Sequence, residues 1–179
     1  MALDGSSSSP TVDRAVRRER AEYTRDAQED VPLGTYAGLT GVYLAAVGGF
    51  ALAARAAGVG LPEQVPARDV ALLGVATFKL TQLVSRDRVT AWLRAPFTRF
   101  QGASGGPSVE EEPRPQGFRK GVGDLLTCPW CTAQWVVTGL ACAYLVAPRP
   151  VRYAATALTA LTVSDGLTYA SSALESRTA

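Results

Sequence analysis

Residues 33–54 (LGTYAGLTGVYLAAVGGFALAA) carry no charged side chain across 22 positions. As an α-helix this stretch is about 33 Å long, enough to cross the hydrocarbon core of a bilayer. It also holds Gly34, Gly38, Gly41, Gly48 and Gly49. So many glycines weaken a helix in water, whereas in lipid small residues let helices pack closely.

Three more apolar blocks follow: 69–84, 129–147 and 151–173. The second contains Lys79, and the fourth contains Arg152 and Asp165. Read together, the blocks predict an all-α polytopic membrane protein of about four transmembrane helices in two hairpins. Pro62 and Pro66 lie in the first connector, and Pro148 and Pro150 close the third block. Residues 85–100 place Val89, Trp92, Leu93, Phe97 and Phe100 at helix-like spacing, with most of the arginines off that stripe. This predicts an amphipathic segment on the cytoplasmic membrane surface. Residues 101–117 are rich in Gly, Pro and Glu and read as a flexible loop. Residues 1–32 form a polar tail, with a solvated, charge-alternating helix over 13–30. Residues 174–179 form a second tail. No short apolar leader with a cleavage site is visible.

Four spans place both termini on one side. That side would carry 13 Arg and Lys residues and the opposite side 4. The positive-inside rule then puts both termini and the long loop in the cytoplasm of a bacterial inner membrane. The alternative is a helical protein whose hairpins are buried in a water-soluble core.

Composition removes several kinds of chemistry. The chain of 179 residues has no histidine. Ser-His-Asp and Cys-His catalysis, HExxH metal helices and mixed cysteine-histidine zinc fingers are therefore excluded. A net charge of +2 gives no bulk field for binding nucleic acid. Three cysteines are too few for a disulfide scaffold.

The sharpest local feature is Cys128-Pro129-Trp130-Cys131. It lies where the loop enters the third block, with Thr127 or Cys128 placed as N-cap and Pro129 in the first turn. Cysteines three apart share a helix face. A thiol at a helix N-terminus meets unpaired N–H groups and a positive dipole end, which lowers its pKa. Metal binding, with zinc held through Cys128 and Cys131, is one reading. A redox pair is another, though the chain lacks the βαβ surroundings of a thioredoxin. The third is simple packing of two polarizable side chains beside Trp130. Cys142 lies about 16 Å further along the same helix and cannot join the pair. A four-ligand site would need a second subunit, or Asp124 plus water.

Lys79 and Asp165 are the charges inside blocks. Counted from the block ends they sit at similar depth, which suggests an ion pair between helices or, alternatively, part of a small-solute or proton path. Arg86, Arg88, Trp92, Arg94 and Phe97 form a candidate interfacial or partner-binding group.

Several motifs occur in order: Phe78-Lys79-Leu80, Ser85-Arg86-Asp87-Arg88-Val89-Thr90, Leu93-Arg94-Ala95-Pro96-Phe97, and Leu125-Leu126-Thr127-Cys128-Pro129-Trp130-Cys131 with Trp135. Over roughly residues 33–173 the chain resembles the bacterial family of small membrane proteins labelled domain of unknown function 1360. Phe78 stands where that family has a histidine before the lysine. Thr132-Ala133 stands where the family commonly has Leu-Gly. The resemblance implies a multi-pass membrane protein and, by analogy with relatives from sporulating bacteria, a role in the envelope or in sporulation. The expectation is a non-enzymatic scaffold whose partners are the bilayer and a protein, either another component or a second copy of the chain.

Overall fold

The computed structural model describes Arg14, Ala15, Arg18 and Glu22, residues 33–115 and residues 117–178. Those first four residues are helical and exposed. The rest of the expected polar tail lies outside the described residues, as does Ala179.

Helix α1 (Leu33–Ala56) coincides with the uncharged stretch. It closes in a Schellman turn: Val59 N–H donates to Ala54 O at 2.9 Å and Gly58 N–H to Arg55 O at 3.1 Å. Gly58 at φ +71° supplies the left-handed residue that this turn requires. Helix α2 (Ala67–Ser85) starts after Pro66, whose fixed φ suits a helix start. A 3₁₀ turn (Arg88–Thr90) and the one-turn helix α3 (Ala91–Arg94) follow. Strands β1 (Thr98–Ala103) and β2 (Val109–Pro113) form an antiparallel hairpin. Helices α4 (Gly117–Thr127), α5 (Pro129–Val146) and α6 (Pro148–Thr178) complete the chain. Helix α2 lies against both α5 and α6, and α4 bridges the hairpin to α1 and α5.

This architecture corrects the four-span expectation. Among the described residues only α1 is long and apolar enough to cross a membrane. The other blocks fail for identifiable reasons. Helix α2 holds Arg68, Asp69 and Lys79 within 19 residues. Helix α5 has 18 residues, with Gln134 and Thr138 among them. Helix α6 is one continuous element of 31 residues with Arg149, Arg152, Asp165, Glu175 and Arg177 along it, so residues 174–178 are helix and not a tail. A charge count across four spans loses its basis with them.

The expected flexible loop and amphipathic surface segment are corrected as well. Residues 98–113 pair in register from Thr98↔Pro113 to Ala103↔Val109, with a bulge between Phe100 and Gly102. Gly105 and Gly106, both at positive φ, turn the chain. The hairpin is pinned from outside: Val109 N–H donates to Arg86 O, and Arg88 N–H to Pro107 O, each at 2.9 Å. Arg94 is fully buried, which removes it from the exposed partner-binding group. Its Nε and Nη2 bind the Glu111 carboxylate at 2.6 and 3.3 Å. The remaining N–H groups reach Val84 O, Thr90 Oγ1 and Asp87 O. All the donors of this guanidinium are therefore used, the condition for burying one.

Glycine allows the closest approaches. A Cβ on Gly123 would stand 2.7 Å from Phe97 O, and one on Gly121 would collide with Thr35. The buried set is otherwise mostly polar: Asp69, Thr77, Lys79, Thr81, Ser85, Arg94, Thr98 and Thr132, against Ala76, Val109, Tyr144 and Ala155. Large apolar side chains such as Leu44, Leu52, Leu161, Val163 and Leu167 lie on the outside.

Candidate functional site

Cys128 is the N-cap of α5, with extended φ and ψ and Pro129 in the first turn. The Cys131 N–H donates to Cys128 Sγ at 3.3 Å, so a sulfur caps the helix where Ser or Asp usually would. Cys128 is half-buried and Cys131 exposed; both thiols are free, as is Cys142. The helix junction behind them is fixed by Thr132 Oγ1, which donates to Leu125 O at 2.8 Å, and by Cys128 N–H, which donates to Asp124 O at 3.1 Å.

Both cysteines line an open groove of about 740 Å³ between α1, α4 and α5. Tyr36 and Tyr43, seven residues apart and so on one face of α1, form the opposite wall. The Tyr36 hydroxyl donates to Asp124 Oδ2 at 2.6 Å, and Lys120 Nζ reaches the same oxygen at 3.3 Å. The Tyr43 hydroxyl shares a hydrogen bond with Thr138 Oγ1 at 2.8 Å and accepts one from Gln134 at 2.9 Å. Its ring meets Trp135 edge-on at 5.1 Å.

Desolvation pushes the Cys131 thiol up to about 11, with further upward contributions from the Cys128 thiol beside it and from the Asp124 charge. The sequence expectation of a lowered thiol therefore does not hold for Cys131, which stands one turn in, beside Cys128 and the Asp124 carboxylate. Within one chain the pair does not by itself complete a zinc site. Among the described residues no group of three or more Cys, His, Asp or Glu gathers closely enough to hold a metal. Zinc takes at least three protein ligands.

The other expected residues fall in separate places. Lys79 Nζ is 2.7 Å from Asp165 Oδ2 and 4.0 Å from Asp87 Oδ2, joining α2, α6 and the loop after α2. Arg86, Arg88 and Trp92 are exposed, and Phe97 is half-buried. A shallow depression of about 500 Å³ brings Trp92 together with Arg99, Phe100 and Arg114.

Sequence reasoning passed over one buried cluster. Asp69 Oδ2 accepts from the Tyr144 hydroxyl at 2.5 Å and from Arg152 Nε at 2.8 Å. The Arg152 guanidinium also lies over the Tyr144 ring, 5.5 Å from its centroid. The Arg152 and Tyr144 hydrogen bonds hold the Asp69 carboxyl below the usual carboxylate range. The sequence had assigned Asp69 and Arg152 to block ends; their common position at one end of the bundle was the available signal.

Comparison with known proteins gives a consistent family. The family described as "Protein of unknown function (DUF1360)" matches residues 72–171, more than half of the chain. Over 87 residues the chain is 30% identical to sporulation protein YjcA of Bacillus subtilis, covering 47% of this chain and 74% of that one. Over 81 residues it is 31% identical to UPF0713 protein YngL of the same organism, covering 44% of this chain and 58% of the relative. The chain thus spans a little over half of the length of YngL. No solved structure matches.

Proposed function

We propose that this chain, which belongs to the DUF1360 family of bacterial proteins of unknown function, is a membrane-associated component that docks a protein partner beside its hairpin. Helix α1 supplies the attachment, being 24 residues long with its first charge at Arg55. The docking surface is the depression at Trp92, Arg99, Phe100 and Arg114, with Arg86 and Arg88 on neighbouring turns.

The observation that carries this reading is the exposure of Trp92 (71%) and Phe100 (66%) on elements tied together by the buried Arg94–Glu111 pair. Trp and Arg dominate the residues on which protein interfaces depend. Buried Arg94 and Glu111 fix the backbone beneath them, so little ordering entropy remains to be lost on binding.

Two measurements test the proposal. After a carbonate wash the protein stays with the membranes, and Leu44→Lys with Leu52→Lys releases it. A photo-crosslinking residue at position 92 captures a discrete adduct in membranes, whereas the same residue at exposed Glu63 does not. Quantitative release of the unaltered protein removes the attachment, and equal capture at both positions removes the docking surface. YjcA is a sporulation protein, and in a spore-forming host a drop in heat-resistant spores on deletion would bring this chain into the same process.

A further inference from the structure

We propose that Cys128 and Cys131 form a thiol–disulfide exchange pair, Cys128 attacking and Cys131 resolving, on a substrate disulfide presented at the mouth of the α1–α4–α5 groove. The inference stands apart from the docking surface, which lies on the hairpin side.

Cys128 stands at the N-cap and Cys131 in the first turn of α5; a bridge joins Cβ atoms about 3.5–4.5 Å apart, nearer than the roughly 5–6 Å of ordinary helix neighbours, so closing it draws the two side chains together. In this chain the Cys131 N–H aims at Cys128 Sγ from 3.3 Å, and both cysteines line the same groove. The two thiols have different surroundings. Cys128 has a backbone donor directed at the sulfur that must carry charge when it attacks. Cys131 shares the groove with the Asp124 carboxylate, which opposes a second charge there. Pro129 fixes the turn between them, and Trp130 beside them is 88% exposed, a flat apolar surface for the polypeptide around a substrate disulfide. Two sulfurs are what exchange needs, and among the described residues no third metal ligand gathers beside them.

The chemistry is balanced without a cofactor. Cys128 thiolate attacks one sulfur of R–S–S–R′, forming Cys128–S–S–R and releasing R′–S⁻, which takes a proton from solvent. Cys131 then gives up its proton and attacks the Cys128 sulfur, closing the intrachain bridge and releasing R–S⁻, which is protonated in turn. The substrate gains two electrons and the protein pair loses two.

The test uses the full chain, reduced, in detergent or in its own membranes, with glutathione disulfide as probe and alkylation followed by peptide mass as readout. Cys128 and Cys131 lose alkylation together, their shared peptide falls by the mass of two hydrogens, and Cys142 stays open to the alkylating reagent. Cys131→Ser accumulates glutathione on Cys128, and Cys128→Ser reacts at least tenfold more slowly at Cys131. Serine at position 128 keeps the helix cap, and Cys131 is exposed, so both variants retain the fold. The inference is overturned if the wild type stops at separate glutathione adducts without closing the bridge, or if both thiols alkylate as fast after exposure to the probe as before. It is also overturned if the two serine variants react at equal rates.

Discussion

Arg94 Nε stands 2.6 Å from Glu111 Oε2, with neither side chain open to water. The pair joins the end of α2, the 3₁₀ turn and β2 through one guanidinium. Removing one member leaves the other charged and buried, which costs roughly 3–5 kcal/mol. Arg94→Ala should therefore cost about that much in denaturant melts, and Glu111→Gln less, because the amide oxygen still accepts. Equal melting of wild type and Arg94→Ala would show that the pair is not closed in solution.

Asp69 makes stability depend on acid. Its folded pKa lies below the unfolded value of about 3.9, because Arg152 and Tyr144 hold the charged form. The unfolded chain then binds a proton more readily than the folded one. The contribution is complete above the unfolded pKa and is lost as the pH falls through the folded one. Melting followed from pH 6 down to pH 2 should show a fall beginning near pH 4. Asp69→Asn should lower stability at pH 6 and flatten this fall. A variant with an unaltered acid limb would assign that limb to other carboxylates.

The Lys79–Asp165 pair offers a double-mutant cycle. Lys79→Met and Asp165→Asn should each destabilise, with a coupling of about 0.5–3 kcal/mol between them. The exchanged pair, Lys79→Asp with Asp165→Lys, should recover part of what either reversal loses. The presence of Asp87 at 4.0 Å from Lys79 makes the recovery incomplete, since the exchange brings two carboxylates together.

Two kinds of glycine should answer oppositely to alanine. A Cβ on Gly41 or Gly48 meets nothing within 4 Å, so Gly41→Ala and Gly48→Ala should stabilise α1 by about 0.4–1 kcal/mol each. Gly123→Ala pushes against the Phe97 carbonyl and Pro113 and should destabilise, as a shift in thermal melting will show. A loss of stability at Gly41 or Gly48 instead would reveal a neighbour on that face.

Helix positions were legible where the signal is local. The uncharged run gives α1 nearly to the residue, and Cys128-Pro129 marks the start of α5. The number of spans was not legible, because apolar blocks look alike whether their charges are satisfied inside the protein or stranded in lipid. The partners of Asp69 lie 75 and 83 residues away. The hairpin was hidden because its β2 strand is Val109-Glu110-Glu111-Glu112-Pro113, whose glutamates fall in the Gly-, Pro- and Glu-rich stretch that reads as a loop. Glu111 differs from its neighbours only through Arg94, seventeen residues earlier. Groove residues Cys128 and Cys131 stood out as a motif, whereas Tyr36 and Tyr43 looked like ordinary members of an apolar helix.

Those two tyrosines give α1 an attachment of a particular kind. Hydroxyl contacts at Asp124, Thr138 and Gln134 fasten the helix along one face. Such bonds compete with water and gain strength where water is absent. The fastening is therefore responsive to its medium: easily opened in aqueous solution, firm in an apolar one. Exchange of the α1 amides measured in detergent and in water should accordingly describe two different molecules, one with a docked helix and one with a helix on a tether.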